Sequence, residues 1–321
     1  MSQRVWVVTG VSSGLGFAIA SEVAKRGDKV IGTVRSLYKF RYDLHEIGVV
    51  PLVVDFTDTD ARIAKAAKEA LAIYGRVDVL VNNAGIITSH RPVEELNIKD
   101  IRSNLQVNFL GAIAFTQPFI THFRTRRAGH IINISSLSSI ANGPAWLPYT
   151  ASKAALDVFT ESLTRELKPF NVRVVSVMPG YFFTNILRSS PDRRDDDDGK
   201  QGEDANISST QSKIYTDRVT QGYDTVNELH RSHVANGQIG DPEKLAARIY
   251  ELVTGTGLLK ELVPGSGGKW EWNRMPLGPD CGNALKNRLE ELKDNVDAFE
   301  EVWKSTDIEP ERFKDIFPPR E

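Results

Sequence analysis

The chain has few of the residues on which disulfide-rich, membrane-spanning or nucleic-acid-binding proteins depend. Cys281 is the only cysteine among 321 residues, which excludes an internal disulfide and fits a reducing compartment. No apolar run approaches the roughly 18 residues that a membrane span needs. The net charge of −2 offers no basic surplus for nucleic acid. We therefore expect a cytoplasmic protein with neither a membrane nor a nucleic-acid partner.

Histidines are also scarce. Of the six, only His230 and His233 lie close together, in a polar stretch without the further ligands of a metal site. Strand-like residues begin at about Val5, which leaves no room for a signal peptide. We expect no metal and no targeting segment.

Short β-branched runs alternate with helical patterns over the first 180 residues. Six strands are predicted, with the sequences RVWVVTG, KVIGTV, VVPLVVD, VDVLVNNAG, HIINISS and VRVVSVMPG. Helices are predicted at about 16–26, 58–74, 99–124 and 149–168. Continuous apolar strands between helices indicate an α/β fold, with a doubly wound parallel sheet covered on both faces.

The character of the chain changes after Gly180. Residues 188–240 are polar, and Asp195–Asp198 predict a solvated acidic loop, with a substrate flap as the alternative. Asp241-Pro242-Glu243 is a helix start. We expect one domain over 1–321, with a nucleotide-binding and catalytic core (1–187), a polar lid or mobile segment (188–240) and a C-terminal helical extension (241–321).

A last helix is predicted from about 281 to 304. Its apolar residues alternate by four and three, in a narrow seam with charged flanks. The members of this seam are Leu285, Leu289, Leu292, Val296, Phe299 and Trp303. The seam is expected to pack on the body of the same domain, and the alternative is an oligomer contact.

A glycine-rich turn follows the first strand and opens the first helix. Such a turn is an anion site, because backbone N–H groups and the helix dipole point at a pyrophosphate. The candidate contacts are Gly10, Ser12, Ser13, Gly14, Leu15 and Gly16.

Tyr149 and Lys153, in the sequence YTASK, lie four residues apart and therefore on one face of a helix. A nearby ammonium lowers the pKa of a phenol and makes proton transfer at neutral pH easier. By themselves, a tyrosine and a lysine at this spacing are usually a plain surface pair.

The ordered set of motifs resembles the classical short-chain dehydrogenases/reductases. It comprises the G-x-x-x-G-x-G turn, Asn82-Asn83-Ala84-Gly85 after the fourth strand, and YTASK. The resemblance covers about residues 3–187 closely and 241–304 more loosely, and GDPEKLAARI and RMPLGPD look like fungal-type members. It implies a Rossmann-type fold, a nicotinamide cofactor and oxidoreductase activity.

The resemblance also implies the catalytic roles. Tyr149 would exchange a proton with the substrate, and Lys153 would lower its pKa and hold the cofactor ribose. Ser136, thirteen residues before the tyrosine, would hydrogen-bond the substrate oxygen, with Ser135 and Ser138 as nearby decoys. Asn108 would hold a water that connects Lys153 to solvent, unless it is only a polar residue facing the sheet.

For the cofactor, the second strand ends at Val34-Arg35, without the carboxylate that would bind the ribose of NAD. A guanidinium suits a 2′-phosphate, so we expect NADP(H), although Arg35 could be a plain surface residue. The resemblance adds Asp55 and Phe56 at the adenine, and Asp55 could instead cap a loop. The remaining implied contacts are Asn83, Ala84 and Gly85 at the ribose, and Pro179, Gly180, Phe182 and Thr184 at the nicotinamide.

Aromatic residues flank the expected substrate position. Trp146 and Tyr181 would form apolar walls, unless Trp146 only packs its own loop. We therefore expect an NADP-dependent reductase of class EC 1.1.1.- acting on a bulky, apolar or aromatic ketone or aldehyde, or the reverse oxidation of an alcohol, in secondary metabolism. The alternatives are redox-neutral or imine-reducing chemistry, or a non-catalytic NADP(H) sensor. A homodimer or homotetramer is expected.

Overall fold

The computed structural model describes residues 3–37, 44–89, 92–184, 186, 240–263, 272–307 and 312. The predicted polar lid up to residue 239, with Asp195–Asp198, His230 and His233, lies outside the described residues.

A seven-stranded parallel sheet forms the centre of the fold. Its strands are β1 (Val5–Val8), β2 (Lys29–Val34), β3 (Val49–Val53), β4 (Val79–Asn82), β5 (Gly129–Ile134), β6 (Val172–Pro179) and β7 (Arg274–Leu277). They are ordered β3-β2-β1-β4-β5-β6-β7. The six predicted strands are confirmed, and β7, which pairs with β6, was not predicted.

Helices cover both faces of this sheet. They are α1 (Gly14–Lys25), α2 (Asp60–Ile73), α3 (Ile98–Leu105), α4 (Gly111–Arg126), α5 (Leu147–Leu167), α6 (Pro242–Thr254), α7 (Pro279–Ala298) and α8 (Glu300–Lys304). Side chains alternate between the two faces, so that Trp6 and Val8 lie in one core and Val5 and Val7 in the other. The predicted α/β fold is confirmed.

The strand order reverses between β1 and β4. After β1 the chain adds β2 and β3 on one side, and β4 then returns to the other side of β1. Ligands bind outside the carboxyl ends of the strands at such a switch point. The fold therefore brings together the ends of β1, β4, β5 and β6.

The helix predicted over about 99–124 is interrupted. Residues Gln106–Leu110 form a π-helical turn between α3 and α4. Such turns often occur at functional sites, because the extra residue turns one side chain out of the regular helical register. Asn108 lies in this turn.

The predicted start of α6 is confirmed. The Asp241 side chain accepts hydrogen bonds from the backbone N–H groups of Glu243 and Lys244, and Pro242 occupies the first turn. The helix ends at Gly255, whose φ of +64° favours glycine.

The sequence predicted that the seam packs on the body of the domain, and for the described structure this prediction is wrong. Leu289, Leu292, Val296, Phe299 and Trp303 are between 44% and 66% exposed. Only the first turns of α7 are anchored, where Cys281 is fully buried. In the described parts of the chain, no helix is both long and apolar enough to cross a bilayer.

Candidate active site

A cleft of about 510 Å³ lies at the carboxyl ends of the central strands. It gathers most of the residues that the sequence nominated. Those that line it are Gly10, Ser12, Ser13, Gly14, Leu15, Arg35, Asp55, Phe56, Asn83, Ala84, Gly85, Ser136, Trp146, Tyr149, Lys153, Pro179, Gly180, Tyr181, Phe182 and Thr184. Gly16 and Asn108 are not part of its lining.

The glycine-rich turn opens α1 toward the cleft. Ser13 precedes the helix, its side chain makes no capping hydrogen bond, and the first turn contains no acidic residue. The positive end of the helix dipole is therefore not neutralised locally. Gly10 has a φ of +71°, and a Cβ there would approach the Ala84 Cα to 2.9 Å. These features fit a bound phosphate group.

Hydrogen bonds attach this turn to the end of β4. The Thr9 hydroxyl accepts from the backbone N–H groups of Asn83 and Ala84, and the Asn83 amide donates to the Thr9 and Gly10 carbonyls. A Cβ on Gly16 would lie 2.3 Å from the Gly10 carbonyl oxygen, so close helix–turn packing requires glycine there. Thr9 was not nominated from the sequence.

One end of the cleft contains Arg35, Asp55 and Phe56. Arg35 is exposed, and no carboxylate of the described residues pairs with it. Asp55 accepts from the Thr57 N–H and hydroxyl through the same oxygen, as in the loop-capping alternative. Phe56 is buried, with its ring edge-on to Phe115 at 5.7 Å between centroids.

Ser136, Tyr149 and Lys153 meet at the other end, and all three are buried. Ser136 lies close enough to the Tyr149 phenol to lower its pKa. Lys153 Nζ lies 5.7 Å from the centre of the Tyr149 ring and donates to the Ile134 carbonyl at 2.7 Å. Ser138 is one of the two serines that could have been mistaken for Ser136. Its backbone N–H and its hydroxyl are both hydrogen-bonded to Ser136 Oγ. Helix α5 and the end of β5 thus converge on one point.

Burial shifts both titratable groups. It raises the pKa of the Tyr149 phenol to about 12, against the opposing effect of the neighbouring Ser136. It lowers the pKa of the Lys153 amine to about 8, against the opposing charge of Asp157. The phenol therefore does not have the lowered pKa that the sequence predicted, because desolvation outweighs the opposing effect of Ser136 and Lys153 does not offset it.

Asn108 lies behind the cleft and connects three elements. Its oxygen accepts from the Ile86 N–H at 2.8 Å, and its amide donates to the Ile86 carbonyl and to Ser152 Oγ at 2.9 Å. A Cβ on Gly85 would lie 3.3 Å from Asn108 Oδ1 and 3.6 Å from Lys153 Nζ, so glycine leaves room beside both groups.

Residues 4–195 match the sequence profile of the short chain dehydrogenases, which is more than half of the chain. The chain belongs to the short-chain dehydrogenase family. It is similar to oxidoreductase BOA17 of Botryotinia fuckeliana, with 30% identity over 190 residues that cover 58% of this chain and 69% of that protein. It is also similar to the uncharacterized oxidoreductase YusZ of Bacillus subtilis, with 30% identity, 79% of this chain and 86% of that protein.

A solved structure has the same fold. The short-chain dehydrogenase from Streptomyces avermitilis superposes with a TM-score of 0.74 at 30% identity, and the match covers 96% of this chain and all of that one. The alignment thus includes the C-terminal elements that lie beyond the family profile.

In this short-chain dehydrogenase, Asp157 supports the buried end of the cleft, although the sequence did not nominate it. It lies one turn after Lys153 in α5 and is 2% exposed. Its carboxylate accepts from the hydroxyls of Ser139 and Ser176 and from Arg274 in β7. The Ser139 backbone N–H donates to the Ser136 carbonyl. The sequence did offer one signal, because Asp157 follows Lys153 by four residues and so lies on the same face of the helix. The residues that bind the Asp157 carboxylate are distant in sequence and could not be identified in this way.

Asp280 is a second residue that the sequence did not nominate. It lies in the first turn of α7 and accepts from the Tyr181 N–H at 2.6 Å. A Cβ on Gly180 would lie 2.1 Å from the Asp280 carboxylate. The segment from Pro179 to Thr184 is therefore held from behind by α7, and it reaches the glycine-rich turn where Thr184 lies beside Gly14.

Apolar side chains surround Tyr149. Ile87 and Trp146 form a small buried cluster with it, and Tyr181 and Ile186 pack against this cluster. Trp146 contacts Tyr149 edge-on at 6.2 Å between centroids. The wall next to the phenol is therefore apolar.

Proposed function

We propose that this oxidoreductase uses NADPH to reduce a bulky, largely apolar or aromatic ketone or aldehyde to an alcohol, or catalyses the reverse oxidation. One observation supports this proposal above the others. The same cleft contains Ser136, Tyr149 and Lys153 at its buried end and an exposed arginine, Arg35, at its open end.

The residues fit an extended dinucleotide. The uncapped start of α1, with Ser12, Ser13 and Gly14, would hold the pyrophosphate. Arg35 would bind a 2′-phosphate, and Asp55 still has one carboxylate oxygen that no described residue engages for the adenine amino group. When bound, the nicotinamide supplies the hydride that reduces the carbonyl carbon.

Further contacts would orient the cofactor. Asn83, Ala84 and Gly85 would border the adenine ribose, Lys153 would bind the nicotinamide ribose, and Pro179, Gly180, Phe182 and Thr184 would line the nicotinamide. The hydrogen bond from the Tyr181 N–H to Asp280, together with the absence of a side chain at Gly180, keeps this last segment close to the start of α7.

Ser136 and Tyr149 would act on the substrate oxygen. The raised pKa keeps the phenol protonated at neutral pH, as a proton donor must be. Ser136 would polarise the carbonyl through a hydrogen bond, and Tyr149 would deliver its proton to the oxygen as the alcohol forms.

Lys153 would replace that proton. With a pKa of about 8, both the ammonium and the amine are populated near neutral pH, so Lys153 can release and regain a proton readily. The room left by Gly85 beside Lys153 Nζ and Asn108 Oδ1 suits a connecting water. Asn108 would hold this water while Ile86 and Ser152 fix its amide.

The apolar cluster of Ile87, Trp146, Tyr149, Tyr181 and Ile186 favours a bulky apolar substrate. A small charged ketone would lose hydration in this cluster without gaining a polar partner.

The test is NADPH consumption with a panel of bulky aromatic and aliphatic ketones, with NADH for comparison. Tyr149→Phe is expected to lose roughly 10²- to 10⁴-fold in kcat, the usual contribution of a general acid. Tyr250→Phe, at a partly exposed tyrosine that stacks on Trp6 away from the cleft, is the matched control. NADPH binding without reduction of any ketone would overturn the proposal and favour redox-neutral chemistry or a sensor.

A further inference from the structure

Beyond Leu285, the seam gives α7 and α8 an apolar stripe that no described residue covers. The stripe crosses the break at Phe299, where α7 ends and α8 begins, and the Trp303 indole N–H donates to the Val296 carbonyl across this break. Leu289, Leu292, Val296, Phe299 and Trp303 are each about half-exposed or more, and Val302 beside them is 60% exposed. Single exposed apolar residues are common on monomers, but a contiguous stripe marks an interaction surface.

The spacing of the seam defines what it fits. The steps of four and three from Leu285 to Trp303 are those of a heptad repeat, with Leu289 and Val296 at a and Leu292 and Phe299 at d. Such a narrow stripe fits another helix that carries the same repeat, because a and d side chains insert between those of the partner. A broad groove or a sheet edge does not offer this periodicity.

The charges disfavour a membrane surface as the occupant. From Glu290 to Glu301 the helices carry six acidic side chains and one basic one. Interfacial helices that bind anionic lipid carry lysine and arginine on the polar face.

We propose that the seam pairs with the seam of a second copy of this chain, in antiparallel orientation, and so joins two chains into a dimer. In this register Leu289 packs against Phe299 of the partner subunit, and Leu292 packs against Val296 of the partner subunit. The two-fold axis passes between the two helices at the level of residue 294, whose own side chain lies on the outer face. A two-fold axis requires each surface to complement itself, as this repeat does.

Flanking charges select the orientation. The e positions are Lys286, Lys293 and Glu300, and in an antiparallel pair the e positions face each other. Lys286 then faces Glu300 of the partner subunit, twice by symmetry. Lys286 has no ionic partner among the described residues, while Glu300 has only Lys304 of its own helix at 2.5 Å.

The central contact of the antiparallel pair joins two copies of Lys293, each already neutralised by an ion pair with Asp297. In a parallel pair Arg288 at g would instead face Lys293 of the partner subunit, again twice. The parallel arrangement thus replaces two attractive contacts with two repulsive ones.

The mass of the full chain in solution tests the proposal, measured by light scattering across micromolar concentrations at low salt. Leu289→Glu is expected to halve the mass, and Asp294→Lys, on the outer face, is expected to leave it unchanged. Lys286→Glu and Glu300→Lys should each weaken association roughly tenfold, and the double variant should restore it. A monomeric wild type, or a mass that Leu289→Glu does not change, would overturn the proposal.

Cross-linking tests the orientation directly. Lys293→Cys is expected to form a covalent dimer with a short bis-maleimide, and Asp294→Cys is not. The native Cys281 does not interfere, because it is fully buried. Cross-linking at 294 but not at 293 would contradict the antiparallel register.

Discussion

Arg274 of β7 reaches Asp157 of α5, with 2.8 Å between Nη1 and Oδ2. The same guanidinium pairs with Glu161 at 2.6 Å. The last strand of the sheet therefore holds the helix that carries Tyr149 and Lys153. Because Asp157 is buried, removal of Arg274 would leave its charge without its strongest partner.

Arg274→Met is expected to lower the free energy of unfolding by about 3 kcal/mol, the usual cost of breaking a buried ion pair. Urea denaturation followed by circular dichroism measures this change. Glu161→Gln is the matched control, since it removes the more exposed partner of Arg274 and leaves Asp157 paired. Equal losses in the two variants would show that the Asp157 contact has no special weight.

Asp157→Asn is expected to move the pH dependence of activity. The Asp157 charge raises the pKa of Lys153, so its removal lowers that pKa further below about 8. The alkaline limb of the kcat profile should then move to lower pH, while ketone KM changes little. A profile that keeps its position while kcat falls would indicate a purely structural role for Asp157.

Lys153 makes stability depend on pH. Its pKa falls from an ordinary 10.5 to about 8 in the folded state, so between these values the unfolded chain binds more protons. The contribution of Lys153 to the free energy of unfolding is therefore greatest above pH 10.5, and it is lost as the pH falls through 8.

Lys153→Met should accordingly stabilise the protein most below pH 8, by a few kcal/mol at most, since one pKa unit corresponds to about 1.4 kcal/mol. The gain should shrink toward pH 10.5. Urea midpoints of both proteins across this range measure the effect, with Lys168→Met as the control. A gain that does not vary with pH would exclude the proposed origin.

Arg35→Ala is expected to raise the KM for NADPH by roughly 10- to 100-fold, because charge-assisted hydrogen bonds to the 2′-phosphate are lost. The KM for NADH should stay the same. Arg165→Ala, at an arginine outside the cleft lining, controls for a general loss of positive charge. Parallel increases for both cofactors would contradict a 2′-phosphate contact.

Gly180→Ala is expected to reduce activity strongly, because the new Cβ would run into the Asp280 carboxylate. Combining it with Asp280→Gly should restore part of the activity, since the clash disappears even though the Tyr181 N–H loses its acceptor. Steady-state kinetics of the three variants test this. A double variant that is worse than Gly180→Ala alone would mean that the clash is not the cause.

Local sequence signals predicted a large part of the fold and of the cleft. Short apolar runs rich in β-branched residues predicted the first six strands. Short motifs identified the glycine-rich turn, Tyr149 and Lys153, and the spacing to Tyr149 identified Ser136. The parallel sheet brings the carboxyl ends of its strands to one edge, where these residues meet. Strand β7 was missed because four residues that include Pro276 carry no period.

The sequence by itself determined the parallel sheet and the identity of the residues at the strand ends, because these depend on short-range patterns and on spacing along the chain. The order of the strands, and with it the switch point, came only from the structure. Only the tertiary structure decided that desolvation raises the Tyr149 pKa, that Arg274 and Asp280 reach back from the C-terminal elements to the cleft, and that the seam of α7 is exposed. Burial and contacts between distant segments depend on how the elements pack in three dimensions, and no local pattern specifies that packing.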